Sequence, residues 1–130
     1  KDSRGFIWIG SNGNGISMYD PISGNFERFD PKNPDRSKAI LPLNGFIRSI
    51  EEDRYGNIWI GSHGSGIAVY DRLSGSFRAL NKENSGLPQE IVLSIYSSHD
   101  GNIWAGTAGE GLCLFDRNTN KFISYSEAQG

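Results

Sequence analysis

One phrase recurs three times along this chain, and every other feature has to be fitted around it. Gly5-Phe6-Ile7-Trp8-Ile9-Gly10 returns as Gly56-Asn57-Ile58-Trp59-Ile60-Gly61 and again as Gly101-Asn102-Ile103-Trp104-Ala105-Gly106, with Asp2, Asp53 and Asp100 shortly before. A second phrase follows a glycine-rich bridge each time: Gly15-Ile16-Ser17-Met18-Tyr19-Asp20, Gly66-Ile67-Ala68-Val69-Tyr70-Asp71 and Gly111-Leu112-Cys113-Leu114-Phe115-Asp116, leading on to Phe26, Phe77 and Phe122. All three tryptophans sit in the first phrase, 51 and 45 residues apart. A period of that length marks supersecondary units that stack, and such units keep their core between neighbours.

Composition agrees with a folded, turn-rich chain: 17 glycines stand against 5 prolines, and 12% of residues are aromatic. A net charge of −2 offers no field to hold nucleic acid, and the basic residues around Lys32 to Lys38 are interrupted by proline and aspartate, so a nucleic-acid partner is excluded. The single cysteine cannot form an internal disulfide. With His63 and His99 far apart in sequence it does not supply a zinc set, and neither metal nor cofactor is expected. Cys113 takes the repeat position of Ser17 and Ala68, which points to a small packed side chain. No apolar run approaches 18 residues, so this segment is expected to make no membrane contact. The first residues already lie inside a repeat, so the chain is expected to be a segment of something longer.

Strands follow from the alternation. Phe46-Ile47-Arg48-Ser49-Ile50, a turn at residues 53–56, and Asn57-Ile58-Trp59-Ile60 form a hairpin; Ile67-Ala68-Val69-Tyr70 and Phe77-Arg78-Ala79-Leu80 complete a four-stranded meander. The third repeat has the same plan from Ile91 to Tyr125, while the first begins at its second strand. No segment carries a helical period. Trp59 faces away from Ile58 and Ile60, and Tyr70 away from Ile67 and Val69, so both faces of the sheet are apolar and each must be covered by another sheet. Radial stacking of four-stranded sheets is a β-propeller. The expected architecture is therefore all-β: a propeller fragment of about three four-stranded antiparallel blades, at residues 1–29, 45–80 and 90–125, the first lacking its innermost strand.

The phrases Glu51-Glu52-Asp53, Gly56-Asn57-Ile58-Trp59-Ile60-Gly61-Ser62, Gly66-Ile67-Ala68-Val69-Tyr70-Asp71 and Gly75-Ser76-Phe77 resemble the two-component regulator propeller repeat, in three copies over nearly the whole chain. The resemblance implies the periplasmic sensor region of bacterial hybrid histidine kinases, a non-enzymatic segment responding to a carbohydrate-derived ligand such as an oligosaccharide. Three blades fall short of the 4 to 8 of a closed propeller.

The glycine bridges lack the Lys-Ser or Lys-Thr and the following helix of a phosphate-binding loop, so they read as turns. Their non-glycine members differ between copies. In a four-stranded meander the second-to-third loop and the fourth-to-first connection, here residues 30–44 and 81–90, emerge at one end, which rims the channel mouth of a propeller. The candidate ligand-binding residues are accordingly Asn12, Asn14, Phe46, Arg48, His63 and Glu110. Asp20, Asp71 and Asp116, and Asp53 with Asp100, read as turn residues at the opposite end. No carboxylate pair nominates itself for glycosidic cleavage. A propeller lyase or glycosidase fragment and a protein-interaction scaffold are the alternative readings. The two terminal blades lack neighbours, so their apolar faces, carrying residues 6–9 and 112–115, are expected to drive self-association, with a dimer favoured.

Overall fold

The computed structural model describes residues 1–10, 15–29, 43, 46–109 and 111–125. Within them, eleven strands form three antiparallel sheets. The first sheet holds β1 (Ile7–Gly10), β2 (Ile16–Tyr19) and β3 (Phe26–Phe29). The second holds β4 (Ile47–Glu52), β5 (Ile58–Ser62), β6 (Ile67–Asp71) and β7 (Ser76–Leu80). The third holds β8 (Val92–Ser97), β9 (Ile103–Thr107), β10 (Gly111–Asp116) and β11 (Lys121–Tyr125). Each is a meander in which sequence neighbours pair. The turn between the last two strands needs a left-handed residue, supplied by Gly24 (φ 78°), Gly75 (φ 70°) and Asn120 (φ 58°).

One feature adds to the expected strands. The connection after β7 contains a single helical turn, α1 (Lys82–Ser85), too short to show a period. It is held at its ends: the Asn81 side chain accepts from the amides of Glu83 and Asn84 at 3.0 Å, the Asn84 side chain accepts from Asn81 N at 2.8 Å, and Gly86 closes it at φ 70°. Leu87 beyond it is buried. Of the other connection, residues 30–44, only Leu43 is described, and it too is buried.

The core lies between sheets, as the two-faced pattern requires. Trp8, Ile16 and Phe29 of the first sheet meet Ile58, Ile60 and Ala68 of the second, with Tyr70 and Phe77 packed alongside. The opposite face of the second sheet, carrying Trp59, Ile67, Val69 and Leu80, meets Ile103, Ala105, Cys113, Phe115 and Phe122 of the third. Cys113 is fully buried opposite Ala105, and burial pushes its thiol up to about 11, so it is a packing residue and no nucleophile. The glycine closing the first phrase permits close approach. A Cβ at Gly10 would stand 2.6 Å from Ile47, and one at Gly61 3.0 Å from Val92, the equivalent residue one sheet on. First strands therefore converge, β4 lying against β8, while the later strands fan outward.

Among the described residues, one face of the first sheet and one of the third have no sheet packed on them. On the third sheet Trp104 and Tyr125 lie in tilted ring contact at 5.7 Å, and Leu112 and Ile123 are exposed. On the first sheet Ile9 is 49% and Phe26 67% exposed, with Tyr19 and Phe26 in ring contact at 4.5 Å.

Candidate functional site

Strand direction sorts the loops into two ends. At the expected rim, the β5–β6 loop is a self-braced turn: Ser62 Oγ donates to Gly66 O at 2.8 Å and accepts from Ser65 N at 3.0 Å. Thr107 Oγ1 makes the equivalent bond to Gly111 O at 3.4 Å. The loop is also tied to both neighbouring segments. His63 N donates to Phe46 O at 2.9 Å, His63 bridges Ile91 in antiparallel fashion, and the amides of Gly64 and Gly66 both donate to Glu90 O, at 3.0 and 2.9 Å. Glu90 in turn accepts from Lys82 N at 2.9 Å, joining α1 to the same cluster.

These bonds carry the exposed His63 imidazole beside the half-exposed Phe46 ring, with centroids 6.4 Å apart. Arg48 follows two residues later, exposed, at the point where the β4–β5 register slips between Ile47 and Ser49. The same slip occurs between Val92 and Ser94, where Leu93 is exposed. A bulge leaves its extra residue out of the ladder and re-aims the side chain, so this position of the innermost strand is where consecutive sheets differ outwardly, cationic in one and apolar in the next. Phe46 and His63 thus belong to one neighbourhood, and Arg48 lies two residues along the chain from Phe46. Asn12, Asn14 and Glu110 lie outside the described residues.

Among the described residues, hollows also lie elsewhere. A cavity of about 110 Å³ is lined by Lys1, Asp2, Trp8, Ile50, Glu52 and Ile58. At about 30 Å³ per water it holds only a few waters, well short of a sugar-sized site. A groove of about 360 Å³ runs past Asn57, Val69, Asp71, Ser76 and Arg78. Its polar groups are already engaged: Asp71 Oδ1 accepts from Leu73 N at 3.0 Å, Asn57 Oδ1 accepts from Arg72 N at 3.1 Å, and Arg78 donates to Asn120 at 3.1 Å.

The opposite end carries chemistry that the sequence analysis passed over. Asp53 Oδ1 accepts from the amides of Tyr55 and Asn57 within its own turn, while Oδ2 accepts from Trp59 Nε1 at 2.9 Å. Asp2 repeats this with Arg4, Phe6 and Trp8 Nε1 at 2.8 Å. Each carboxylate then receives an arginine from the next sheet. Arg72 donates from Nε to Gly56 O at 3.0 Å and from Nη2 to Asp2 Oδ2 at 2.7 Å; Arg117 Nη2 reaches Gly101 O at 3.4 Å and stands 3.6 Å from Asp53 Oδ2. Aspartate, tryptophan and arginine form a clasp across each junction. Burial raises the Asp2 carboxyl, but hydrogen bonds from Arg72, Trp8 and Phe6 and the Arg72 charge outweigh it and leave the group below its ordinary value.

The clasp corrects one alignment. Asp100 is not the counterpart of Asp53. Ser98 is: Ser98 N donates to Asn102 O at 2.9 Å and Gly101 N to Ser98 O at 3.0 Å, as Asp53 N does to Asn57 O and Gly56 N to Asp53 O. Asp100 sits two residues on, exposed, bonded to Ser98 and Asn102. Glu51, at the end of β4, has its carboxyl pushed up by burial, offset in part by the backbone of Ser97. Glu52 beside it accepts from Ser3 N and Oγ at 2.8 and 2.6 Å. That bonding makes Glu52 a brace across the junction.

Residues 41–64 and 86–109 match the model of the two component regulator propeller family. No curated protein matches the chain significantly. Among solved structures, the chain is similar to the extracellular domain assigned to the hybrid two component system BT3049 of B. thetaiotaomicron, at 21% identity over 95% of this chain and 17% of that one, with a TM-score of 0.77. It is similar also to the extracellular domain assigned to the hybrid two component system BT4673 of B. thetaiotaomicron, at 24% identity over 88% of this chain and 14% of that one, with a TM-score of 0.66. The chain spans less than a fifth of the length of either structure. Among the described residues, no helix is long and apolar enough to cross a membrane. Two segments of the chain thus match the repeat model of that family, and its three sheets have the fold of β-propeller blades.

Proposed function

We propose that this chain is a non-catalytic segment of an extracytoplasmic, periplasmic sensor in a two-component regulatory system, and that its rim contributes to reading a carbohydrate-derived ligand. The observation that carries the reading is the pair of matched propeller repeats, supported by the extracellular origin of the similar structures. The rim chemistry suits a sugar bearing acidic groups. Phe46 offers an apolar ring face, His63 a ring with donor and acceptor nitrogens, and Arg48 a planar guanidinium fork for a carboxylate or sulfate. A glycosidase would need two free carboxylates flanking a cleft. Asp2, Asp53 and Glu52 are instead committed to junction contacts.

The test is ligand-observed NMR of the chain with a panel of neutral, uronic and sulfated oligosaccharides. Binding by an acidic member that Arg48→Ala and Phe46→Ala each abolish, with unchanged unfolding midpoints, supports the reading. Binding that survives both substitutions, or turnover of any panel member, overturns it.

A further inference from the structure

The register slips in β4 and β8 fall at the same repeat position. Ile47, Arg48 and Ser49 correspond to Val92, Leu93 and Ser94, and in each strand the middle residue is the one without a partner in the ladder. A bulge gives up local pairing, and bulges recur at rims and beside binding sites because they re-aim a side chain. Here two of them stand side by side.

Contacts across the junction fix them there. Ser49 Oγ accepts from Ile95 N at 3.0 Å. A Cβ at Gly61, the residue paired with Ser49, would meet Val92 at 3.0 Å and Ile95 at 3.3 Å. Residues 47–49 are therefore held against residues 92–95. Exposure belongs to the bulge position itself. Arg48 is exposed with β8 in place on one side of β4, and Leu93 is 44% exposed with β4 in place on the other side of the repeat. Neither the following nor the preceding innermost strand covers such a residue. The residue before each bulge behaves differently: Val92 is fully buried, and Ile47 packs on the core between the first and second sheets.

A lone exposed leucine needs no explanation. One presented by a bulge next to a bulge-borne arginine does. The guanidinium fork suits a carboxylate or sulfate, while leucine at the same position of the next strand offers no hydrogen bond to a second charge or a hydroxyl and removes its water without replacement. The two positions together select an anionic group with an apolar group beside it.

We propose that Leu93 is a specificity-determining residue of the rim: Arg48 takes the anionic group of an acidic sugar, and Leu93 takes an apolar substituent, a methyl ether or an acyl group, carried next to it. The inference rests on the carbohydrate reading above and narrows its ligand to acidic sugars substituted in this way.

The experiment is an NMR titration of the chain with two matched pairs. One is a glucuronic acid oligosaccharide with and without a methyl ether on the carbon beside the carboxylate-bearing one; the other is the same oligosaccharide with and without an acetyl ester there. The substituted member of each pair binds about threefold or more tightly than the bare one, the increment expected for burying a methyl-sized group. Leu93→Ala brings the members of each pair to within about twofold of one another, and Arg48→Ala removes binding of all of them. Leu93→Arg turns the preference toward an oligosaccharide with two adjacent uronates, a gain that misfolding cannot produce. Equal binding of substituted and bare sugars by the wild type, or a preference that survives Leu93→Ala, overturns the role of Leu93 and leaves the acidic-sugar reading standing. Binding of none of them overturns both.

Discussion

The two covered junctions are built from the same repeat positions, and they are not equally closed. Between the first and second sheets, Arg72 is 6% exposed and Asp2 1%, at 2.7 Å, with Glu52 a further contact at 3.7 Å. Between the second and third, Asp53 is as buried, but Arg117 is 35% exposed and 3.6 Å away. The position of Glu52 is held by Ser97 in the third sheet, so Arg117 meets one carboxylate and lies over the Tyr55 ring at 4.8 Å. A guanidinium becomes enclosed only where more than one acceptor lies within reach. The apolar halves differ in composition. The first junction is a chain of aromatic contacts, with Phe29 at 5.1–6.0 Å from Trp8, Tyr70 and Phe77. At the second, Leu80 takes the place of Phe29 and aliphatic side chains fill in around Trp59 and Phe115. The frame thus accepts different side chains at both its polar and its apolar positions.

The comparison breaks first at the tryptophans. Trp59, fully buried, is expected to cost about 3 to 5 kcal/mol on replacement by alanine. Denaturant unfolding measures this, and a loss below about 1 kcal/mol would mean that packing does not hold the second junction. Next come the arginines. Arg72→Met leaves Asp2 buried without its cation and is expected to cost about 3 kcal/mol, whereas Arg117→Met, with a partly solvated side chain, should stay within about 1 kcal/mol. Equal costs would show that enclosure does not set the strength of the clasp.

Acid sharpens the same contrast. Asp2 titrates in the folded chain below its ordinary 3.8, so its contribution is complete above that value and is lost as pH falls through the lower folded value. Unfolding free energy measured from pH 5 downward should fall more steeply in the wild type than in Asp2→Asn. An identical slope in both would remove Asp2 from the account. Smallest is the rim: His63→Ala is expected to change stability by no more than about 0.5 kcal/mol, since the His63 contacts that tie the loop are made by its backbone. A larger loss would make the imidazole structural.

Strand order and the faces turned to each junction were legible, because period-2 alternation around Trp59 and Tyr70 leaves no other assignment. The clasp was visible as well, though unread. Asp53 lies six residues before Trp59 and Asp2 six before Trp8, but matching the third copy on Asp100 hid the fact that Ser98 holds that place. Arg72 and Arg117 looked like ordinary turn residues, since a guanidinium that crosses to another sheet leaves no local signature. The helix at Lys82 was missed because one turn has no period; its signal was the Asn81 and Asn84 pair. At the rim, Phe46 and His63 could be grouped from topology, whereas the slip that sets Arg48 apart depends on pairing with β5, which no single segment encodes.

The hydrogen bonds from Gly64 and Gly66 to Glu90 have a mechanical consequence. They fasten the rim loop of one blade to the entry of the next, and Glu90 fastens α1 through Lys82. A ligand that draws residues 62–66 toward itself must either break these bonds or drag the start of β8 along. Displacement of this loop is therefore handed on sideways to the neighbouring sheet, so that a load applied at residues 62–66 is felt at the start of β8.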